Sequence, residues 1–185
     1  MGLASRAYSL MNQASRPIAL VLDLDQTLVD TRPLKKWRDS RMWKEACAGV
    51  PTCDPIAGLD RFRSVMRYYR VAIVTNTPST YAQTVLRHFD IPYNVLIGYH
   101  DVQARKPHPE PIQLALQELG VHAAAAWSFG DHPHDVTSAK SAGLALTVAI
   151  GVASDFPELL RASCADRWCW DLNEAAELLE RSECE

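Results

Sequence analysis

Runs of consecutive apolar residues punctuate the chain at Ile18-Ala19-Leu20-Val21-Leu22, Val71-Ala72-Ile73-Val74, Asn94-Val95-Leu96-Ile97-Gly98, Ala126-Trp127-Ser128-Phe129-Gly130 and Leu144-Ala145-Leu146-Thr147-Val148-Ala149-Ile150. Short continuous runs predict strands buried on both faces, because a half-exposed strand would alternate apolar with polar. Arg167-Trp168-Cys169-Trp170 predicts a further strand at an edge. Between the runs the period becomes helical. Tyr81, Val85, Leu86 and Phe89 share a face behind the capping candidate Thr77 and Pro78. Ile112, Ala115, Leu116 and Leu119 repeat the pattern and end at Gly120, a helix-terminating residue, and Leu172, Ala175, Ala176 and Leu179 close the chain in the same way. Strands alternating with helices predict an α/β fold with a mostly parallel sheet covered on both faces.

One segment departs from this rhythm. Residues 31–58 hold Trp37, Met42 and Trp43 with six basic residues, and the apolar positions from Leu34 to Cys47 share no single helical stripe. The segment reads as an insertion above the sheet within one domain spanning residues 1–185.

Composition narrows the class. Hydrophobic residues make up 48% and charged residues 22% of the 185, which excludes disorder and coiled coil. The longest strongly apolar stretch without charge, Ser141 to Ser154, is too short to span a bilayer. The first residues, which read as a tail or short helix, contain no apolar signal segment, and Arg6 stands where a myristoylation pattern wants Ser or Thr. A cytoplasmic protein is expected. Cys47, Cys53, Cys164, Cys169 and Cys184 are scattered without a C-x-x-C pair, so thiols are expected rather than a disulfide framework or zinc cluster. The first seventy residues are net basic and the remainder net acidic, to a total of −3. That bias suits an anionic small molecule but is too weak for nucleic acid.

In an open parallel sheet ligands bind at the carboxyl ends of strands. There the sequence places Asp23-Leu24-Asp25-Gln26-Thr27, Thr75-Asn76-Thr77-Pro78 and Gly130-Asp131-His132-Pro133-His134-Asp135. A lone Asp after a strand is often a helix cap or turn former. Two pairs delivered to one rim, Asp23 with Asp25 and Asp131 with Asp135, imply a cation, because crowded carboxylates repel. All-oxygen ligands with open positions suit Mg²⁺, and such sites commonly handle phosphate. Thr75 adds a hydroxyl, Asn76 an amide and Lys106 an ammonium, with Pro107 expected to start the following helix and aim that ammonium back over the sheet. His132 and His134 lack a third partner for zinc and read as loop residues, while Trp127, Trp168 and Trp170 read as core and edge packing.

Asp-x-Asp-x-Thr at 23–27, Thr75-Asn76, Lys106-Pro107 and Gly-Asp-x-x-x-Asp at 130–135 together resemble, in order, the four motifs of the haloacid dehalogenase-like superfamily. Ala139-Lys140-Ser141-Ala142-Gly143 resembles their usual continuation. The resemblance implies a Rossmann-like three-layer sandwich with a small cap after the first strand, and a Mg²⁺-dependent phosphatase acting on a phosphomonoester. Asp23 would be the nucleophile that carries a phosphoaspartyl intermediate, and Asp25 the acid and then the base. Thr75, Asn76 and Lys106 would bind the phosphoryl group. Mg²⁺ would be held by Asp23, Asp131 and the backbone carbonyl of Asp25, with Asp135 as ligand or just behind. A phosphomutase, a protein phosphatase of the same superfamily and a non-catalytic phosphate-binding protein are the alternatives. Gln26 stands where many relatives have Gly, and the insertion is shorter than the helical cap common among them.

Overall fold

The computed structural model describes residues 16–151 and 164–182. The tail or short helix expected before residue 16 lies outside them, as do Ser154 and Cys184. Six strands, β1 (Ala19–Leu22), β4 (Arg70–Val74), β5 (Val95–Ile97), β6 (Ala126–Gly130), β7 (Leu146–Ile150) and β8 (Arg167–Cys169), form one sheet in the order β5-β4-β1-β6-β7-β8. Every neighbouring pair is parallel. Counted along the sheet alone this is the 3-2-1-4-5-6 order of the doubly wound fold, whose switch point lies between β1 and β6.

The burial of β1 explains its unbroken apolar run. Leu20 and Leu22 face a cluster with Val71, Ile73, Trp127, Phe129 and Val148 on one side of the sheet. Ala19 and Val21 face Ala72, Val74, Ile112, Ala115 and Leu116 on the other. On the first side lie helices α3 (Leu59–Met66), α4 (Ser79–His88) and α7 (Leu172–Arg181), with Phe62, Val85 and Leu179 buried; on the second lies α5 (Glu110–Leu119), with α6 (Pro133–Ser141) beside it. Gly120 ends α5 in the left-handed conformation (φ 64°), as its position predicted.

Residues 31–58 hold several short elements rather than one helix. A two-stranded antiparallel ribbon, β2 (Val29–Asp30) with β3 (Asp54–Pro55), brackets the segment. Between them stand a 3₁₀ turn (Arg32–Leu34), α1 (Lys35–Asp39), α2 (Trp43–Gly49) and a second 3₁₀ turn (Val50–Thr52). Leu34, Ala46 and Val50 are buried in the main core, and Trp37, Trp43 and Cys47 pack against it. The apolar positions share no stripe because the helix breaks: Arg41 sits at φ 57° and turns α2 away from α1.

Two smaller expectations fail. Ile18 is 56% exposed and lies outside β1. Trp127 is buried, whereas Trp168 on the edge strand β8 and Trp170 just after it are exposed. No helix of the described residues is long and apolar enough to cross a membrane, and the described cysteines are all free thiols.

Candidate active site

The carboxyl ends of β1, β4 and β6 converge on one cavity of about 300 Å³, with Asp23, Asp25, Thr75, Asn76, Lys106, Asp131 and Asp135 all in its wall. Asp23 directly follows β1, and its N–H donates to the Phe129 carbonyl at 2.9 Å, so the ladder to β6 continues to the rim. Strand alternation then sends Leu24 into the core and keeps Asp23 and Asp25 on the open side.

Lys106 is the hub of the inner pocket. Its ammonium lies 2.6 Å from Asp23 Oδ1, 2.7 Å from Asp135 Oδ1 and 2.6 Å from the Val74 carbonyl, and the residue is buried. It reaches this point from a loop rather than a helix start. The expectation that Pro107 opens the helix fails, since α5 begins at Glu110. The loop is tied down instead: Asn76 Nδ2 donates to the Lys106 carbonyl at 3.0 Å, and Ser138 Oγ to the His108 carbonyl at 2.7 Å. The Glu110 carboxylate accepts the N–H groups of Gln103 and Ala104.

Asp131 faces Asp23 across the Thr27 hydroxyl, which lies 3.0 Å from Asp131 Oδ1 and 3.2 Å from Asp23 Oδ2. Asp135 also serves its helix. Its Oδ2 accepts the His132 N–H at 3.0 Å, while His132 Nδ1 accepts the His134 N–H at 3.1 Å, a reciprocal cap on α6. The two histidines therefore do structural work at the cavity wall, their rings 4.4 Å apart. The cap expected at Thr77 does not form: α4 starts at Ser79 without a side-chain cap. The Thr77 hydroxyl turns to the site, 2.9 Å from that of Thr75.

Asp23, Asp131 and Asp135 each offer one oxygen, all within 4.8 Å of one another. Burial is the chief force raising the Asp23 carboxyl to about 7, against the pull of Lys106, with Asp135 and Asp25 adding to the rise. Burial likewise lifts Asp131 well above the usual carboxylate range, and Asp23 and Asp135 lift it further. For Lys106 burial acts downward, but Asp135 and Asp23 more than reverse it, so the ammonium is held more firmly than an ordinary lysine's. Three carboxylates thus share one ammonium, and the group retains unbalanced negative charge that a hard divalent cation would neutralise. The donor set fits such an ion.

The Asp25 side chain stands apart from that trio. Thr31 Oγ1 lies 2.6 Å, Tyr81 OH 3.0 Å and Arg38 Nη1 2.6 Å from its Oδ1. The Asp25 carboxylate is not one of the three that cluster, and the metal role expected of this residue is that of its main-chain carbonyl. Sequence reasoning missed these partners. Tyr81 sits in an apolar helical stripe and reads as core, and Arg38 is one of six basic residues with nothing to mark it out. Gln26 adopts φ 67°, a conformation that costs a side-chain-bearing residue roughly 1–2 kcal/mol and that glycine takes up without that cost. Its amide offsets part of that cost by donating to Thr31 Oγ1 at 2.8 Å and accepting from Arg38 at 3.5 Å.

The family model of the haloacid dehalogenase-like hydrolases matches residues 40–149, more than half of the chain. The chain belongs to the haloacid dehalogenase-like hydrolase family. The matched span takes in Thr75, Lys106 and Asp131, while Asp23 and Asp25 precede it and join the site through the fold. Among curated relatives, a phosphoglycolate phosphatase from Colwellia psychrerythraea is 31% identical over 108 residues, covering 56% of this chain and 46% of that protein. A phosphoglycolate phosphatase from Salmonella choleraesuis is 39% identical over 75 residues, 40% of this chain and 30% of that one. The chain spans about half the length, or less, of these relatives. The crystal structure of CbbY from Rhodobacter sphaeroides in complex with phosphate has the same fold, with a TM-score of 0.71 and 18% identity over 85% of this chain and 96% of that one.

Proposed function

We propose that this haloacid dehalogenase-like protein is a Mg²⁺-dependent phosphatase that hydrolyses a small phosphomonoester through a phosphoaspartyl intermediate on Asp23. The observation that carries the reading is the buried Lys106–Asp23 pair at 2.6 Å, set beside Asp131 and Asp135 at a sheet switch point. An ammonium against a carboxylate that is short of counter-charge is suited to receive a phosphoryl group. The relatives named as phosphoglycolate phosphatases support the same chemistry.

In this reading an Asp23 oxygen bonds to phosphorus while the ester P–O bond breaks, dividing one difficult displacement into two. Lys106 and the Thr75 hydroxyl hold the non-bridging oxygens, where charge gathers in the transition state. Asn76 holds the Lys106 loop in place through the Lys106 carbonyl while lining the same cavity. Asp25 gives a proton to the leaving oxygen and then takes one from the attacking water. Asp23, Asp131 and the Asp25 carbonyl would hold Mg²⁺, with Asp135 behind, both of its oxygens already engaged by Lys106 and the His132 N–H. The ion, when bound, neutralises the carboxylates and polarises the phosphoryl oxygens. Residues 31–58 act as a short cap over the carboxyl-end rim, and the cavity of about 300 Å³ favours a small metabolite.

Hydrolysis of p-nitrophenyl phosphate with and without Mg²⁺ tests the reading, and Asp23→Asn should remove essentially all turnover while the circular dichroism stays native. Metal-independent turnover, or more than a few per cent activity in that variant, would refute the covalent route. Phosphate binding without turnover in the wild type would leave a non-catalytic phosphate-binding protein.

A further inference from the structure

The Asp25 carboxylate is held asymmetrically. Oδ1 takes the Thr31 hydroxyl, the Tyr81 hydroxyl and the Arg38 guanidinium at 2.6, 3.0 and 2.6 Å. Among the described residues Oδ2 has the Thr77 hydroxyl at 3.5 Å, the outer limit of a hydrogen bond. The three anchors arrive from separate places: Thr31 just after β2, Arg38 on α1 and Tyr81 on α4. Thr31 and Tyr81 are fully buried, and the Tyr81 ring packs on Trp43 of α2 with centroids 5.6 Å apart.

A carboxylate oxygen offers about two lone-pair sites, so Oδ1 has no site left for a proton in transit. We propose that Oδ1 is the fixed oxygen and Oδ2 the working one, and that Tyr81, Thr31 and Arg38 are positioning residues for the acid step. The proposal rests on the phosphatase reading. As Asp23 forms its bond to phosphorus, the ester P–O bond breaks and its electron pair goes to the leaving oxygen, which takes the proton from Asp25 Oδ2. In the second half-reaction water attacks phosphorus, its proton passes to Oδ2, and the Asp23–phosphorus bond breaks to regenerate the carboxylate. Arg38 is thus tied to the acid step rather than to solvent. Its side chain is 15% exposed, and through it the insertion reaches into the chemistry.

A leaving-group series on the full chain tests this. Tyr81→Phe and Thr31→Val each delete one donor while keeping the shape of the side chain. Both should depress kcat/KM for phenyl phosphate about tenfold more than for p-nitrophenyl phosphate, whose leaving group departs without needing a proton. The plot of rate against leaving-group pKa should steepen, and Thr31→Ser should restore it. In an Asp25→Asn background the added effect of Tyr81→Phe on that ratio should vanish. Equal losses on both substrates, an unchanged slope in both variants, or a ratio effect that persists without Asp25 would overturn the positioning role and leave the phosphatase standing. A wild-type protein that hydrolyses neither ester would overturn both.

Discussion

At Asp23 and Asp131 burial and mutual repulsion work against ionisation, and this makes stability depend on pH in a defined direction. A carboxyl group whose pKa is higher in the fold than in the unfolded chain favours the fold below its unfolded value and loses that contribution as pH rises through the folded one. Asp23 moves from 3.8 to about 7, so its contribution should lower the melting temperature of the metal-free protein as pH climbs from about 3.8 to about 7 and level off above that. Asp131→Asn should flatten that decline by removing one of the facing charges. Mg²⁺ should reverse it in the wild type, since a ligand confined to the native state at 100 times its Kd adds about 2.7 kcal/mol. Thermal denaturation in chelator and in Mg²⁺, across pH, checks all three. A flat metal-free profile, or an equal Mg²⁺ shift in wild type and variant, would place the cation elsewhere.

At the scale of elements, the junction of β6 with α6 is where packing touches chemistry. A Cβ at Gly130 would lie 2.5 Å from Asp135 Cβ and 2.7 Å from its carboxylate, so only glycine lets α6 start this close to the strand. Gly130→Ala should cost about 1–3 kcal/mol of stability through overpacking. It should also reduce turnover among the molecules that stay folded, because moving Asp135 moves Lys106. Gly120→Ala separates the two effects. Its φ of 64° makes alanine strained there, yet the nearest atom to a new Cβ is 3.8 Å away and no site residue is near. It should lower the melting temperature by an amount equivalent to about 1 kcal/mol and leave kcat alone. Gly130→Ala with full activity per folded molecule would show that Asp135 does not set the position of Lys106.

Over the whole molecule the charges are segregated, the first seventy residues being net basic and the remainder net acidic. Lys35, Lys36, Arg41 and Lys44 stand on the insertion, and Lys35 pairs in the open with Asp39. Such exposed charges steer an anionic substrate over a range of about 8–10 Å at moderate salt. Lys35→Ala with Lys36→Ala should raise KM for a phosphomonoester at low ionic strength, with kcat constant, and the difference should fade as salt rises. A salt-independent loss of kcat would place these lysines in the fold or the chemistry. Arg38 does not belong to this set, because its guanidinium is already paired with Asp25.

Much of the fold was legible because its signals are local. Strands buried on both faces need unbroken apolar runs, and β1 and β4 to β7 were found on that basis, with ends within a residue or two. Helix faces at Val85, Ile112 and Leu179 follow from a 3.6-residue period, and Gly120 from the steric freedom a left-handed cap requires. The inner pocket was legible for the same reason: strands of one parallel sheet all end on one rim, so residues just after them must meet. What surrounds Asp25 was not legible. Tyr81 looks apolar to any periodicity argument, yet its hydroxyl reaches across from α4 to a loop 56 residues earlier. Arg38 was one charge among six until the fold brought α1 within reach of Asp25. The sequence alone determined the elements, their faces and the carboxylates at the rim, because propensity and burial act on neighbours along the chain. Which hydroxyls and which arginine converge on Asp25 was decided only by the packing of distant elements, because a contact between side chains far apart in sequence leaves no period to read.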